Sequence, residues 1–213
     1  MKTIYYCYDA YCGWCYGFSG VMKKLSEAYK DHFYFEVLSG GMIVGEHVKP
    51  ISAIASYIKE AYPTVEERTG VKFGEDFLWH INNPDKSDWY LNSLKPAIAL
   101  CVFKDYYPDN QVAFAADLQY ALNFEGRDLD DDEAYRHLLE KYTINPEEFY
   151  TKLKSPEYKK LAEEEFEMCR QLQVRGFPAV LLQTGDNKFY MLGNGYTDYD
   201  TMDQRFKQVL ELE

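Results

Sequence analysis

The sequence predicts an α/β protein with a β-α-β unit at its amino terminus and a β-β-α unit at its carboxyl terminus. Three observations support this fold class. An apolar run at 3–8 leads directly into residues with helical spacing, a second run covers 33–38, and two more lie at 179–183 and 189–192. Short apolar runs between turn residues are typical of strands, whereas recurrence every three or four residues is typical of a helix.

The first predicted helix begins at Cys12-Gly13-Trp14-Cys15, directly after the first strand. One helix face should pack on that strand, because apolar residues then recur at helical spacing: Phe18, Val21, Met22, Leu25, Ala28 and Tyr29. A strand, a helix and a strand joined by so long a connection predict a parallel pair with a right-handed crossover.

Residues 47–173 are predicted to form a large all-helical domain inserted between strand 2 and the carboxyl-terminal β-β-α unit. The flanking segments, 1–46 and 174–213, then form a single α/β domain. Helix start signals recur through the insertion, at Thr64 with Glu67, at Asn145-Pro146 and at Ser155-Pro156.

The carboxyl-terminal unit is predicted from its turn residues. Gly185-Asp186-Asn187 separates two apolar runs and suits a hairpin. Thr197 or Asp198 can cap a last helix, because both side chains accept hydrogen bonds from the first turn.

Composition excludes several classes of function. The formal net charge of −12 and the pI near 4.8 leave no basic stripe for nucleic acid or for an anionic membrane surface. We therefore expect neither as a partner. The chain passes from Met1 directly into a strand pattern, so we expect a cytoplasmic protein, unless a signal peptide has been removed.

The five cysteines do not predict a disulfide framework, because their number is odd and three of them, Cys7, Cys101 and Cys169, are scattered. We interpret these three as packing thiols. The spacing of Cys7, Cys12 and Cys15 also matches an iron–sulfur pattern, but strand and helix patterns around them argue against a cluster, so we expect no metal.

The two cysteines of the motif have different predicted roles. A sulfur at the start of a helix lies beside unpaired backbone N–H groups, which stabilise a thiolate. Cys12 is therefore the candidate nucleophile, and we expect its sulfur to face solvent. Cys15 lies one turn inside the helix and is the candidate resolving cysteine.

The order of elements and the pairing of this motif with Gly176-Phe177-Pro178 before a returning strand resemble the DsbA-like thiol–disulfide oxidoreductase family, in particular its FrnE-like branch. The resemblance implies a thioredoxin-like fold with a helical insertion. It also implies a cis Phe177–Pro178 peptide bond facing the cysteine pair. Gly13-Trp14 departs from the family's strong oxidants, which commonly have histidine or proline between the cysteines.

The resemblance also implies a substrate site. Phe177 and Pro178 would hold an extended substrate, because the backbone before a proline can expose free groups for strand pairing. Trp14 is either a substrate platform or a half-buried cover. Asp9 could relay a proton, oppose thiolate formation by its charge, or be a solvated cap. Gly13 and Gly176 would be supporting residues.

We therefore predict a thiol–disulfide oxidoreductase or isomerase. Its partners would be a protein or peptide thiol or disulfide and an unknown redox partner. We expect no cofactor besides the redox-active cysteine pair, with glutathione as an alternative co-substrate. One alternative is a glutathione-dependent isomerase or kappa-type glutathione transferase, although these usually have serine in place of Cys12. Another is a non-catalytic adaptor.

Overall fold

The computed structural model describes residues 2–211, and its main sheet has four strands. The two strands from the amino-terminal part of the chain run parallel to each other. The carboxyl-terminal hairpin adds two more strands, which pair in antiparallel fashion. The strands are β1 (Lys2–Tyr8), β2 (Phe33–Ser39), β3 (Lys49–Pro50), β4 (Tyr90–Leu91), β5 (Ala179–Gly185) and β6 (Lys188–Asn194). The order in the main sheet is β2-β1-β5-β6.

Helices account for most of the remaining chain, with short 3-10 turns between some of them. Within residues 2–211, no helix has the length and apolar character that crossing a membrane requires. The helices are α1 (Gly13–Tyr29), α2 (Ala55–Thr69), α3 (Glu75–Asn82), α4 (Leu94–Tyr106), α5 (Gln111–Asn123), α6 (Arg136–Lys141), α7 (Pro146–Leu153), α8 (Pro156–Gln171) and α9 (Tyr199–Glu211).

The predicted α/β fold class is confirmed, with two differences in the segment between β2 and β5. This segment is not all-helical, because β3 and β4 form a two-stranded antiparallel sheet. Strands of two residues are too short to produce a periodic pattern, which explains the error. Thr64 does not start a helix either; it follows Pro63 in the interior of α2.

The two faces of the main sheet are covered by different helices. Tyr6 and Tyr8 face the larger core, which also contains residues of α1 and α9. Cys7 points to the opposite face, where it packs with Cys169 of α8. This separation follows from the strand, because successive side chains point to opposite faces of a sheet.

The outer edge of β2 is sealed by side chains from helices that lie between β2 and β5 in the chain. Gln111 Oε1 accepts the backbone N–H of Val37 at 2.9 Å, and Glu165 Oε2 accepts that of Ser39 at 2.8 Å. Lys104 Nζ donates to the Val37 carbonyl at 2.6 Å. The helical segment is thus attached to the sheet by the backbone groups that an edge strand would otherwise leave unpaired.

Helix α2 packs closely against α1 near the cysteine motif. A Cβ atom at Gly17 would lie 2.6 Å from Thr69 Cγ2, so the absence of a side chain at Gly17 permits this approach. Phe73, just after α2, contacts Tyr16 of α1 edge to face. This packing places α2 over the start of α1, where the candidate nucleophile lies.

Candidate active site

Cys12 is the N-cap of α1, and its sulfur is held by hydrogen bonds on both sides. The backbone N–H of Cys15 donates to Cys12 Sγ at 3.3 Å, and the Cys12 thiol donates to the Phe177 carbonyl at 3.5 Å. The Cys12 N–H donates to the Asp9 carbonyl at 3.1 Å, which fixes the turn between β1 and α1. A thiolate at Cys12 would accept the same hydrogen bond from the Cys15 N–H.

Cys12 does not face open solvent as the sequence predicts, because only 7% of it is exposed. Helix α2 covers this end of α1. Because α2 is distant in sequence, the residues around the cysteine motif do not indicate that the motif is covered. The sulfur instead lines a cavity of about 340 Å³. A disulfide must therefore enter this cavity to reach Cys12.

Cys15 is completely buried one turn inside α1. Its burial raises the pKa of the thiol well above its ordinary value, and the hydrogen bond and charge of Cys12 add to the effect. Cys15 is thus a thiol at neutral pH. This fits a residue that waits for Cys12 to react first, because only a deprotonated sulfur attacks a disulfide.

The loop before β5 brings the prolyl segment to Cys12. The Phe177–Pro178 peptide bond is cis, as the resemblance implies, and Pro178 is buried. The Phe177 ring packs directly over Gly40, at the end of β2, where a Cβ atom would overlap the ring. Glycine at position 40 therefore allows Phe177 to take its place beside Cys12.

Asp9 is not a solvated cap, because it is 1% exposed and fully engaged in hydrogen bonds. Its Oδ1 accepts the Tyr11 N–H at 3.0 Å and the Ser93 hydroxyl at 2.9 Å, and its Oδ2 accepts the Met42 N–H at 2.8 Å. Burial raises the pKa of Asp9, while these hydrogen bonds oppose the rise. Asp9 therefore ties the cysteine loop to the loop after β2 and to the start of α4.

Trp14 is half-buried and contributes one wall of the cavity. Its ring lies 6.4 Å from that of Tyr196, and the guanidinium carbon of Arg68 lies 5.3 Å from its centre. Gly13 and Gly176 also line the cavity. The remaining lining is mainly apolar and aromatic, and much of it comes from α2 and its N-cap residue: Ile54, Tyr57, Ile58, Ala61, Tyr62 and Val65.

The structure brings the predicted site residues into one region, and it adds residues that the sequence analysis did not identify. The α2 side chains were not predicted to line the site, because Pro63 and Thr64 are typical of a helix boundary and do not favour one continuous helix here. Arg175 also lines the cavity, and its position two residues before Phe177 was the available signal. For Ser39-Gly40-Gly41-Met42, after β2, the sequence allows either a groove wall or a plain turn, and Met42 lines the cavity.

The remaining cysteines lie away from this cavity. Cys7 and Cys169 pack together between β1 and α8, and the Cys101 thiol donates to Glu165 at 3.4 Å. Burial raises the pKa of Cys101, and contact with Cys7 together with burial raises that of Cys169. In residues 2–211, no three His, Cys, Asp or Glu side chains form a group that could hold a metal ion.

The family model described as the DSBA-like thioredoxin domain matches residues 3–207, nearly the whole chain. The chain belongs to this family. Its fold is accordingly thioredoxin-like, and the family comprises proteins that act on thiols and disulfides. A search of the curated proteins found no match.

Solved structures share this fold over their full length. A protein from Nitrosomonas europaea, provisionally assigned as a protein disulfide isomerase, has a TM-score of 0.85 at 20% identity, with 100% of this chain and 98% of that one covered. The cytosolic disulfide reductase DsbM from Pseudomonas aeruginosa has a TM-score of 0.77 at 22% identity, covering 99% and 100%. A 2-hydroxychromene-2-carboxylate isomerase has 0.64 at 14%, covering 99% and 95%. At these identities the likeness concerns the fold.

Proposed function

We propose that this protein is a thiol–disulfide oxidoreductase with Cys12 as nucleophile and Cys15 as resolving cysteine. The observation that carries the proposal is the position of Cys12 Sγ. It lies at the start of α1, accepts the Cys15 N–H, contacts the Phe177 carbonyl and opens into a cavity. Such a position supplies both a backbone N–H donor to the sulfur and a place for the substrate beside it.

Two exchanges complete the proposed reaction. The Cys12 thiolate attacks one sulfur of a substrate disulfide, so a mixed disulfide forms and the other substrate sulfur leaves as a thiolate. Cys15 then loses its proton and attacks Cys12 Sγ, which forms the Cys12–Cys15 disulfide and releases the second substrate thiolate. The substrate gains two electrons and the cysteine pair loses two. The reverse sequence oxidises a dithiol substrate.

The surrounding residues support these steps by position. Phe177 and Pro178 present the backbone beside which an extended substrate would lie, and Trp14 and Gly176 shape the cavity next to it. Gly13 lies beside Phe73, at a distance where a Cβ atom would make an ordinary van der Waals contact with the ring. Asp9 holds the loop that carries Cys12, and its negative charge raises the pKa of Cys15.

We infer that the protein works as a reductase or isomerase in the cytoplasm. In a reducing compartment the cysteine pair is kept as the dithiol, which favours electron flow toward the substrate. The fold likeness to the cytosolic reductase DsbM supports this direction, and DsbM has also been solved with GSH. Glutathione is therefore the proposed small thiol that returns Cys12 and Cys15 to the reduced state.

A glutathione-dependent isomerase is the second candidate, because the fold is shared with 2-hydroxychromene-2-carboxylate isomerase. The presence of Cys12 argues against it, since such enzymes usually have serine there. Turnover of an isomerase substrate with glutathione in Cys15→Ser, without disulfide exchange in the parent, would favour this candidate.

Equilibration of the protein in a series of glutathione redox buffers tests the proposed function. After each mixture is quenched with an alkylating agent, mass spectrometry counts the free thiols. We expect one reversible transition in which Cys12 and Cys15 become protected from alkylation together, because both sulfurs enter one disulfide. Cys15→Ser should instead accumulate a mixed disulfide at Cys12. A pair that stays alkylated at every buffer ratio would rule the function out.

A further inference from the structure

The cavity over Cys12 carries charge of one sign. Among its lining residues in the described part of the chain, Arg175 is the one side chain with a permanent charge, and the others are mostly apolar or aromatic. The chain as a whole has a formal net charge of −12. A cation at the cavity therefore contrasts with the net acidic character of the chain.

A second arginine contacts a residue that lines this cavity. Arg68, near the end of α2, has its guanidinium carbon 5.3 Å from the centre of the Trp14 ring, and Trp14 is a cavity wall. Both Arg68 and Arg175 are exposed. They come from segments far apart in the chain, yet each stands beside a residue that borders Cys12, namely Trp14 or Phe177.

Neither arginine is neutralised by the protein. Within residues 2–211, Arg68 makes only its contact with Trp14, and Arg175 has neither an ion pair nor a hydrogen bond. The remaining arginines all have polar partners: Arg127 with Glu125, Arg136 with Glu133, Arg170 with Glu167 and Arg205 with the Leu192 carbonyl. The two arginines at the cavity thus keep their full set of donors for a ligand.

The guanidinium group has a specific chemical preference. Its planar fork of N–H donors matches a carboxylate, and a partly apolar surrounding strengthens the pairing. Two such groups also offset locally the repulsion that a chain of net negative charge exerts on an anion. Within residues 2–211, neither arginine makes a hydrogen bond to Cys12, so their effect falls on substrate binding.

We propose that Arg68 and Arg175 select disulfides that carry carboxylates close to the sulfur–sulfur bond. This inference rests on the proposed function and names its substrate class. Two sources share this chemistry: a small disulfide such as oxidised glutathione, and an extended acidic peptide. Cys12 is 7% exposed in a cavity of about 340 Å³, which excludes a disulfide held rigidly inside a folded domain.

The test measures single-turnover oxidation of the fully reduced protein by three small disulfides of different charge. Oxidised glutathione carries carboxylates, bis(2-hydroxyethyl) disulfide is neutral, and cystamine is cationic. The variants are Arg68→Gln, Arg175→Gln, their combination, and Arg175→Lys. Arg136→Gln is the matched control, because it removes one positive charge from an exposed position that is paired with Glu133.

We expect the double variant to react about tenfold more slowly with oxidised glutathione and within about twofold of the parent with the neutral disulfide. Cystamine should react faster. Arg175→Lys should retain part of the rate, because it keeps the charge and loses the fork. Arg136→Gln should leave the ranking of the three disulfides unchanged.

Two results would overturn the inference: equal losses with all three disulfides, or the same loss in Arg136→Gln. Failure of the parent to react with any disulfide would instead contradict the proposed function, and this inference with it. A second arm compares a glutamate-containing peptide disulfide with its glutamine counterpart. If the two arginines also accelerate the reaction with the glutamate peptide, acidic peptides are a source of substrate. If they accelerate only the reaction with oxidised glutathione, the small disulfide is the source.

Discussion

The two cysteine sites that adjoin strand β1 differ in their surroundings although they are close in sequence. Cys12 and Cys15 follow the strand, and Cys12 has a backbone donor, a backbone acceptor and a cavity next to its sulfur. Cys7 lies within the strand and packs with Cys169 among Leu38, Ala179 and Leu181. The comparison teaches that the groups around a sulfur, rather than its distance along the chain from another cysteine, determine its chemistry.

The difference originates in the geometry of the strand. Cys7 pairs through its backbone with Leu38 of β2 and Ala179 of β5, so it is fixed in the middle of the sheet with its side chain toward α8. The chain leaves the sheet after Tyr8, and the Asp9 turn redirects it into α1. The site of Cys12 and Cys15 is therefore reachable from the cavity, whereas the site of Cys7 and Cys169 is enclosed.

The largest expected effect comes from exchanging the nucleophile. Cys12→Ser should lower the rate of disulfide exchange by at least about 1,000-fold, because a serine hydroxyl does not ionise near neutral pH. Rapid-quench mass spectrometry with oxidised glutathione measures the rate. Cys169→Ala is the matched control and should react like the parent. Residual exchange in Cys12→Ser that disappears when Cys7 is also replaced would show that Cys7 reacts with disulfides, and would contradict the difference between the two sites.

The next effect is a pH dependence confined to the second exchange. Because burial raises the pKa of Cys15, the fraction of its thiolate grows with pH throughout the neutral range. The release of the second substrate thiol should therefore accelerate about tenfold per pH unit. Stopped-flow measurement between pH 6 and about pH 9 would show it. A rate for this step that stays flat with pH would contradict the raised pKa.

Asp9→Asn should have opposite effects on stability and on the second exchange. Asparagine offers one oxygen where the carboxylate serves Tyr11, Ser93 and Met42, so the free energy of unfolding should fall by about 1–3 kcal/mol. Loss of the charge lowers the pKa of Cys15, so resolution at neutral pH should be faster.

Denaturant unfolding and stopped-flow kinetics measure these two effects. Ser93→Ala is the control, because it removes one hydrogen bond and leaves the Asp9 charge in place. Slower resolution in Asp9→Asn, with normal rates in Ser93→Ala, would indicate that Asp9 relays a proton.

The smallest expected effect is at the enclosed cysteines. Cys7→Ala or Cys169→Ala should lower the free energy of unfolding by about 1–2 kcal/mol, because each leaves a small void in a packed cluster. Exchange rates should stay within about twofold of the parent. Equilibrium unfolding in urea and single-turnover kinetics check the two statements. A large kinetic effect would show that the two sites are coupled.

Much of the framework could be predicted, because each signal is local. The strands around Cys7 and Leu181, the helix after Cys12, and the hairpin at Asp186 all arise from patterns within a few residues. The residues that hold and cover the cysteine motif could not be predicted, since their roles depend on contacts between distant segments. Asp9, for example, is buried where Ser93 and the loop at Met42 approach it.

The cover over Cys12 illustrates the same limit. Pro63 inside α2 is typical of a helix boundary, and Thr64 with Glu67 resembles a capping box. The sequence therefore favours a helix that begins at Thr64, whereas α2 has already completed about two turns before that residue. Close packing at Gly17 overrides this local preference. Arg175 has no pattern of its own, and its place at the cavity follows from the loop that carries Phe177.

The sealing of β2 by Gln111 and Glu165 bears on attempts to reduce this protein to a minimal redox unit. If residues 47–173 were excised, the outer N–H groups of Val37 and Ser39 would lose their acceptors and become free to recruit a strand from another molecule. The shortened chain would then be prone to self-association, whatever the state of its cysteines. The helices between β2 and β5 thus protect the sheet edge from pairing with another strand, and they also contribute a wall of the cavity.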